Sequence, residues 1–201
     1  MRDIQTVALC KSYGAHTVLR DVNLTFPAGK TSAVMAPSGA GKTTLLRLLM
    51  GLEAPDSGEI IGMEGLRCGA VFQEDRLVDR MTAAGNLRLV KPALRREQIL
   101  EALDAFGLSG CADQRAAELS GGMKRRVALL RALLHENDIL LLDEPFKGLD
   151  EDTRERVMDK TREMLGGRTV ILVTHDSAEA AHLHANELYL PFGEKTDDER
   201  I

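Results

Sequence analysis

The chain has 201 residues, of which 44% are hydrophobic and 28% are charged, a composition typical of one globular domain with its own core. Its 31 acidic and 26 basic residues give a formal net charge of −5, which disfavours nucleic-acid binding through bulk positive charge. Aromatic residues make up 3% of the chain and tryptophan is absent, so stacking platforms for bases are scarce. We therefore expect an enzyme or binding module with no nucleic-acid partner.

The N-terminus and the cysteines indicate where the chain works. No signal peptide is recognisable at the N-terminus, and no stretch approaches the roughly 18 apolar residues of a membrane span. The cysteines, Cys10, Cys68 and Cys111, are odd in number and far apart, which is typical of reduced thiols in the cytosol. We expect a chain that stays inside the cell without crossing a bilayer, and an acidic, solvated tail at 194–200.

The order of apolar segments predicts the fold class. The first 30 residues contain three short strand-like segments that predict an antiparallel edge sheet, at 6–10, 18–19 and 22–26. Continuous apolar runs, as expected of parallel strands buried on both faces, follow at 32–36, 70–72, 139–142 and 170–174. Apolar residues recur at helical spacing between them, at 43–50, 97–106 and 152–165. This alternation predicts an α/β fold with a mostly parallel core sheet.

A glycine-rich turn connects the first apolar run to its helix. The sequence APSGAGKTT at 36–44 fits the phosphate-loop pattern G-x-x-x-x-G-K-[ST], with Ala36 at the first glycine position. Backbone N–H groups of such a loop, together with the positive end of the following helix, bind phosphate oxygens. The predicted nucleotide-binding residues here are Ser38, Gly39, Ala40, Gly41, Lys42, Thr43 and Thr44.

The chemistry expected of this loop is specific. Lys42 is predicted to contact the β- and γ-phosphates of the nucleotide, and the hydroxyl of Thr43 is predicted to hold Mg²⁺. The alternative is a strand-to-helix turn that binds no ligand. The methyl group of Ala36 restricts the backbone of the loop. We expect this to change the affinity for nucleotide without abolishing nucleotide binding.

Two carboxylates follow the buried run at 139–142. Asp143 and Glu144 stand where a parallel strand ends, and ligands of open α/β sheets bind at that edge. Asp143 is suited to hold Mg²⁺, and Glu144 to polarise an attacking water as a general base. Taken alone, such a pair is more often a turn or a helix cap.

The sequence Leu119-Ser120-Gly121-Gly122 precedes an amphipathic helix. With the loop and the acidic pair, it makes the chain resemble the nucleotide-binding subunit of ATP-binding-cassette (ABC) transporters, whose signature is LSGG. The resemblance covers nearly the whole chain. It implies an ABC-type P-loop NTPase with an N-terminal antiparallel β subdomain, in which 1–201 is a single ATPase domain and about 76–118 is an inserted helical subdomain.

The resemblance also implies roles for individual residues. Tyr13 is similar to the aromatic residue that stacks on adenine, and Gln73 to the loop glutamine that contacts the metal and takes part in catalysis. Asp150 matches the D-loop and His175 the switch histidine. Read without the family, Tyr13 is a core residue, Gln73 a surface amide and His175 a buried, hydrogen-bonded histidine.

Two chains pair head to tail in this family, which implies a homodimer in the ATP-bound state. Ser120, Gly121 and Gly122 of one chain would then bind the γ-phosphate on the loop of the other. Read alone, they are a helix N-cap. The resemblance further implies an integral membrane permease, an extracytoplasmic solute-binding protein, and a peripheral location on the cytoplasmic face of the inner membrane.

Two basic segments leave alternatives open. The run 124–126, Lys-Arg-Arg, follows the signature and is expected to be a solvated helix face. A second cluster, Arg88, Lys91, Arg95 and Arg96, is either a solvated face or a lipid contact. We expect the permease to meet apolar residues near Leu77, Val78 and Met81.

The function implied by the resemblance is ATP hydrolysis that energises solute import. The sequences around Gln73 and Glu144 resemble the importer subfamily for nitrate, sulfonates and taurine. The alternatives are a non-transport ABC ATPase in assembly or mechanical work, a subunit of exporter or lipoprotein-release type, and a module that holds ATP without turnover.

Overall fold

The computed structural model describes residues 2–191, so the expected acidic tail at 194–200 lies outside the described residues. The described residues form eight strands, which are β1 (Ile4–Tyr13), β2 (His16–Phe26), β3 (Thr31–Met35), β4 (Ser57–Ile61), β5 (Cys68–Val71), β6 (Ile139–Asp143), β7 (Thr169–Thr174) and β8 (Asn186–Tyr189). The helices are α1 (Lys42–Leu49), α2 (Ala83–Arg88), α3 (Arg96–Ala105), α4 (Gly121–Leu134), α5 (Glu151–Met164) and α6 (Ser177–His182), with a short 3-10 helix at Ala116–Glu118.

The core sheet has the strand order β5-β6-β7-β3-β8, and each of its ladders is parallel. This confirms the predicted α/β class with a parallel core. Strand β8 was not predicted, because only one of its four residues is as much as half-buried and it shows no apolar run. It is recognisable only from its pairing with β3.

The N-terminal sheet is antiparallel, as predicted, with the order β2-β1-β4. The prediction of three short pieces was wrong, because β1 and β2 are long strands whose pairing is interrupted by irregularities. Ala8 and Asp21 adopt left-handed backbone angles, with φ of 48° and 49°. Such bulges disturb the alternation of apolar residues, so a continuous strand looks broken in the sequence.

Alternating residues of the central strands pack into two separate hydrophobic clusters. In β6, Leu140 and Leu142 join the cluster that contains residues from α2 to α6, whereas Ile139 and Leu141 join the cluster that contains α1 and the antiparallel sheet. Successive side chains of a strand point to opposite faces, so the core sheet is covered on both sides. The carboxyl ends of β3, β6 and β7 lie together at one edge of this covered sheet.

The segment after β5 is attached to α4 by arginines. Arg125 is buried and donates hydrogen bonds to the carbonyl oxygens of Phe72 and of Gln73, the latter at 2.8 Å. Arg131 donates to the carbonyl of Arg76 at 2.9 Å. The expectation of a solvated basic face at 124–126 is therefore wrong for Arg125. Its guanidinium group is buried and donates hydrogen bonds to two backbone carbonyl oxygens.

The residues 76–118 contain α2, α3 and the 3-10 helix. Asn86 of α2 is fully buried, and its amide both accepts from the backbone N–H of Val78 and donates to its carbonyl, at 2.9 and 3.2 Å. Arg96 pairs with Asp113 on the surface. Among residues 2–191, no helix is both long enough and apolar enough to cross a membrane.

Candidate functional site

The phosphate-loop sequence forms the connection from β3 to α1. Gly41 is the N-cap of α1 and has φ 87°, an angle that favours glycine. A Cβ atom there would lie 2.7 Å from Cγ1 of Val18 and 2.8 Å from Cδ2 of Leu19, so the loop closes against β2. Ala36 is not among the described non-glycine residues with positive φ, and its methyl packs against the second hydrophobic cluster. The methyl therefore imposes no left-handed strain on the loop.

Lys42 is the first residue of α1, and its side chain folds back over the loop. Its Nζ atom donates to the carbonyl oxygens of Ala36 at 2.5 Å and of Pro37 at 2.9 Å. Burial lowers the pKa of Lys42, although the negative charges of Glu144 and Asp143 oppose this shift. The ammonium thus lies among oxygen acceptors, at the position where a phosphate group would compete for it.

Asp143 ends β6 and is 1% exposed. Its Oδ2 atom accepts a hydrogen bond of 2.7 Å from the hydroxyl of Thr43, whereas its buried Oδ1 atom has no hydrogen-bond partner among residues 2–191. Burial raises the pKa of Asp143, and the Thr43 hydroxyl opposes this shift. A buried carboxylate oxygen without a partner, next to a hydroxyl, fits the oxygen ligand set that Mg²⁺ requires.

Glu144 follows in a left-handed conformation, with φ 46°. Such an angle is strained for a residue with a side chain and recurs at functional sites. The Oε2 atom of Glu144 accepts from Nζ of Lys147 at 2.6 Å, and its Oε1 atom lies 3.3 Å from Nδ1 of His175. Burial by itself would raise the pKa of Glu144, but the hydrogen bonds and charges of Lys147 and His175 lower it overall.

Lys42, Thr43, Glu144 and Lys147 line one open cavity of about 410 Å³, and Asp143 and His175 are not among its lining residues. Its lining consists of Val18, Ser38, Gly39, Gly41, Lys42, Thr43, Thr44, Gln73, Glu144 and Lys147. The structure therefore brings together most of the predicted loop residues, the loop glutamine and the predicted base. The loop hydroxyls of Ser38, Thr43 and Thr44 and the ammonium group of Lys42 can bind the oxygens of a polyphosphate, and the Glu144 carboxylate can polarise a water beside it.

His175 follows β7 and projects from the sheet edge with 61% of its side chain exposed. The alternative of a buried histidine is therefore wrong. The turn that carries it is fixed by buried Glu179, whose carboxylate accepts from the Thr174 hydroxyl at 2.7 Å. Arg154 of α5 also pairs with Asp176 at 3.0 Å. This support aims the imidazole at Glu144.

Three further sets of predicted residues do not line this cavity in the described part of the chain: Tyr13, the segment Ser120–Gly122, and Asp150. Tyr13 ends β1, is half exposed, and donates its hydroxyl to Glu53. Ser120 is the N-cap of α4 and accepts from the backbone N–H of Met123 at 3.3 Å, with Gly121 and Gly122 at the start of the helix. Asp150 caps α5. Their predicted roles at the nucleotide remain predictions.

Sequence reasoning missed two charged residues at this edge. Lys147 lies three residues after Glu144, within reach of its carboxylate. Arg125 lies on the buried face of α4 with Ala128, Leu129 and Ala132. Helical spacing places these four residues on one face of α4. The position of Arg125 on this apolar face was the sequence signal that could have predicted its burial.

Comparison with known proteins assigns the family. A sequence model described as ABC transporter matches residues 19–147. The chain belongs to the ABC transporter family. It is 42% identical over 204 residues to the aliphatic sulfonates import ATP-binding protein SsuB 1 of Rhodococcus jostii, which covers 98% of this chain and 83% of that protein. It is 44% identical over 180 residues to SsuB 3 of Pseudomonas syringae pv. syringae, with 86% and 67% covered.

Solved structures agree with this assignment. The dimeric structure of MJ0796, a bacterial ABC transporter cassette, is 30% identical, has a TM-score of 0.79, and covers 93% of this chain and 94% of that one. A post-hydrolysis state of MJ0796 bound to ADP and Pi has a TM-score of 0.80 at 30% identity, covering 94% and 95%. The predicted ABC-type P-loop fold is thus confirmed, and the chain is an ATPase.

The contact between Thr43 and Asp143 gives a test of the metal site. Thr43→Val removes the hydroxyl and leaves a buried carboxylate without its donor. We expect the free energy of unfolding to fall by about 1–3 kcal/mol and Mg²⁺-dependent ATP affinity to fall roughly tenfold. Thr43→Ser keeps the hydroxyl and should behave like the parent. ATP affinity is measured by calorimetry for both variants, once with Mg²⁺ and once with EDTA. If the valine variant binds ATP as tightly as the serine variant under both conditions, Thr43 is not part of the metal site.

Proposed function

We propose that this chain is the ATP-hydrolysing subunit of an importer for small oxyanions of the aliphatic sulfonate type. The observation that carries the proposal is the single cavity in which Lys42 and Thr43 of the loop face Glu144 at the end of β6. The names of the SsuB relatives support the direction of transport and the solute. The related subfamily members for nitrate and taurine belong to the same chemical class.

The residues of this chain have separate tasks in hydrolysis. Lys42 and the loop N–H groups of Gly39 and Gly41 bind the phosphates and hold the γ-phosphorus in place. Glu144 orients water and accepts its proton, and His175 fixes the carboxylate of Glu144 through the contact at 3.3 Å. Mg²⁺ would be held by Thr43, Asp143 and Gln73, where its charge offsets that of the phosphates.

A second copy of the chain would complete each site. The cap of α4, with Ser120, Gly121 and Gly122, lies outside the cavity of its own chain, so the positive end of this helix would be available to the γ-phosphate of a partner. In the same nucleotide site, Tyr13 would stack on adenine and Asp150 would act as the D-loop residue. The dimeric structure of the MJ0796 cassette supports the expectation that this chain forms a dimer.

The partner in the membrane would be a permease, with an extracytoplasmic solute-binding protein completing the system. In this arrangement the chain lies on the cytoplasmic face of the membrane, and 76–118 is the helical subdomain that meets the permease. Val78 is 43% exposed there, and the half-buried Leu77 packs against the core below it. Because Arg125 holds the carbonyl of Gln73, movement at the nucleotide is transmitted directly to α4 and this surface.

The proposed base is tested by Glu144→Gln, which keeps the shape of the side chain but cannot accept a proton. We expect ATP binding to persist while steady-state turnover, measured as phosphate release, falls at least about 100-fold. Sedimentation of this variant should show a dimer with Mg²⁺-ATP and a monomer without nucleotide. Parent-like turnover would remove Glu144 from its role as base, and a monomer under both conditions would contradict the pairing.

The proposed transport function is tested in vesicles that contain the chain and its permease. We expect ATP-dependent uptake of a labelled alkanesulfonate. Gln73→Ala should keep nucleotide affinity within several-fold and uncouple hydrolysis from uptake, with uptake falling by a much larger factor, because the side chain lines the phosphate cavity while the backbone of Gln73 belongs to the segment held by α4. Uptake and hydrolysis falling by the same factor would show that Gln73 acts only in catalysis. Uptake of nitrate without alkanesulfonate would correct the solute.

A further inference from the structure

The nucleotide cavity contains a second ammonium group for which the described function has no role. Lys147 lies in the turn between β6 and α5 and lines the same cavity as Lys42 and Gln73. Its Nζ atom lies 2.6 Å from Oε2 of Glu144. The Lys147 side chain is 59% exposed, whereas that of Glu144 is 5% exposed. A cation that reaches in from solvent is therefore attached to an almost buried carboxylate.

The two ammonium groups of the cavity differ in what holds them. Lys42 is buried and bonded to the carbonyl oxygens of Ala36 and Pro37. Lys147 bonds to a carboxylate, on a long side chain with freely rotating bonds. An anion that enters the cavity beside Glu144 offers Lys147 a second acceptor within reach. ATP brings such an anion as its γ-phosphate, and ADP does not.

The resting contact with Lys147 also opposes the use of Glu144 as a base, because His175 already lies against the other carboxylate oxygen. Lys147 bonds to the Oε2 atom of Glu144, and His175 lies against its Oε1 atom. A carboxylate accepts a proton from water most readily when one oxygen is open to that water. Transfer of the ammonium from Oε2 to a γ-phosphate oxygen would open this atom at the moment when substrate is present.

We propose that Lys147 is a γ-phosphate-binding residue that exchanges Glu144 for the nucleotide and thereby distinguishes ATP from ADP. The inference rests on the proposed function, since it assumes that the cavity binds ATP with its γ-phosphate near Glu144. It adds a second phosphate cation to Lys42. It also gives Glu144 a partner that leaves when the substrate arrives.

A purely structural ion pair is the competing explanation, and α5 contains one for comparison. Lys160 and Glu163 are also three residues apart and 2.8 Å from each other, but both side chains are substantially exposed. Neither residue lines the nucleotide cavity. Lys160→Met is therefore a matched control for removal of a lysine from a pair of the same spacing.

The first measurement compares the affinities of Mg²⁺-bound adenylyl imidodiphosphate, a non-hydrolysable ATP analogue, and Mg²⁺-bound ADP. It is made at protein concentrations where sedimentation shows a monomer. Lys147→Met should weaken the analogue about five- to tenfold and change ADP affinity less than about twofold, because the lost charge-assisted bond is to the γ-phosphate. Lys147→Arg should restore the preference, and Lys160→Met should leave both affinities unchanged. Retained ADP affinity also shows that the variant is folded.

The second measurement tests the competition between Glu144 and the nucleotide. Glu144→Gln weakens the resting bond, so it should tighten analogue binding about threefold when Lys147 is present. The same change in the Lys147→Met background should not tighten it. Equal effects of Lys147→Met on the analogue and ADP, or additive effects of the two substitutions, would overturn the inference and leave Lys147 as a structural partner of Glu144. If the parent binds neither nucleotide, the proposed function itself fails.

Discussion

The hydrogen bond from Thr43 to Asp143 joins two parts of the chain that are 100 residues apart in sequence, and the site depends on it. It connects the first turn of α1 to the end of β6. Strand β7 lies between β6 and β3 and is parallel to both, so the loop after β3 and the acids after β6 lie at the same edge of the sheet. Hydrophobic clusters cover both faces of the sheet. The polar residues that follow the strands are therefore brought together at this edge, where a ligand can reach them.

Three charged side chains at this edge, those of Asp143, Lys42 and Glu144, are buried, and burial makes their charged forms unfavourable. Asp143 is almost completely buried, and one of its oxygens lacks a hydrogen-bond partner in the described part of the chain. The buried Lys42 has a lowered pKa. Glu144 is stabilised as a carboxylate by Lys147 and His175 despite its burial. Such groups are costly to stability when they lack partners and useful when a charged ligand supplies them. The arrangement is thus completed by a phosphate and a divalent cation.

The sequence allowed the local parts of this site to be predicted, because each lies in a short motif with its own physical signature. The loop at 36–44 follows an apolar strand and opens a helix, and Asp143 and Glu144 end another apolar strand. The core strands and the three predicted helices lie close to their expected positions. Family resemblance then supplied the roles of Gln73 and His175, whose neighbouring sequences have no independent signal of comparable strength.

What could not be predicted depends on contacts between distant segments. Strand β8 exists through its ladder with β3, and the long β1 and β2 hide their continuity behind bulges at Ala8 and Asp21. The bonds from Arg125 to the carbonyls of Phe72 and Gln73 require α4 to lie against the end of β5. A basic run in a sequence is typical of a solvated surface, and only tertiary packing shows that one of its members is buried.

The central claim is that the loop after β3 and the acids after β6 form one Mg²⁺-nucleotide site. A crystal structure of the Glu144→Gln variant with Mg²⁺ and ATP tests it most directly. The account predicts phosphates against Lys42, with the metal between Thr43 and Asp143 and the γ-phosphate next to residue 144. A nucleotide bound elsewhere, or a metal ion remote from Asp143, would contradict it.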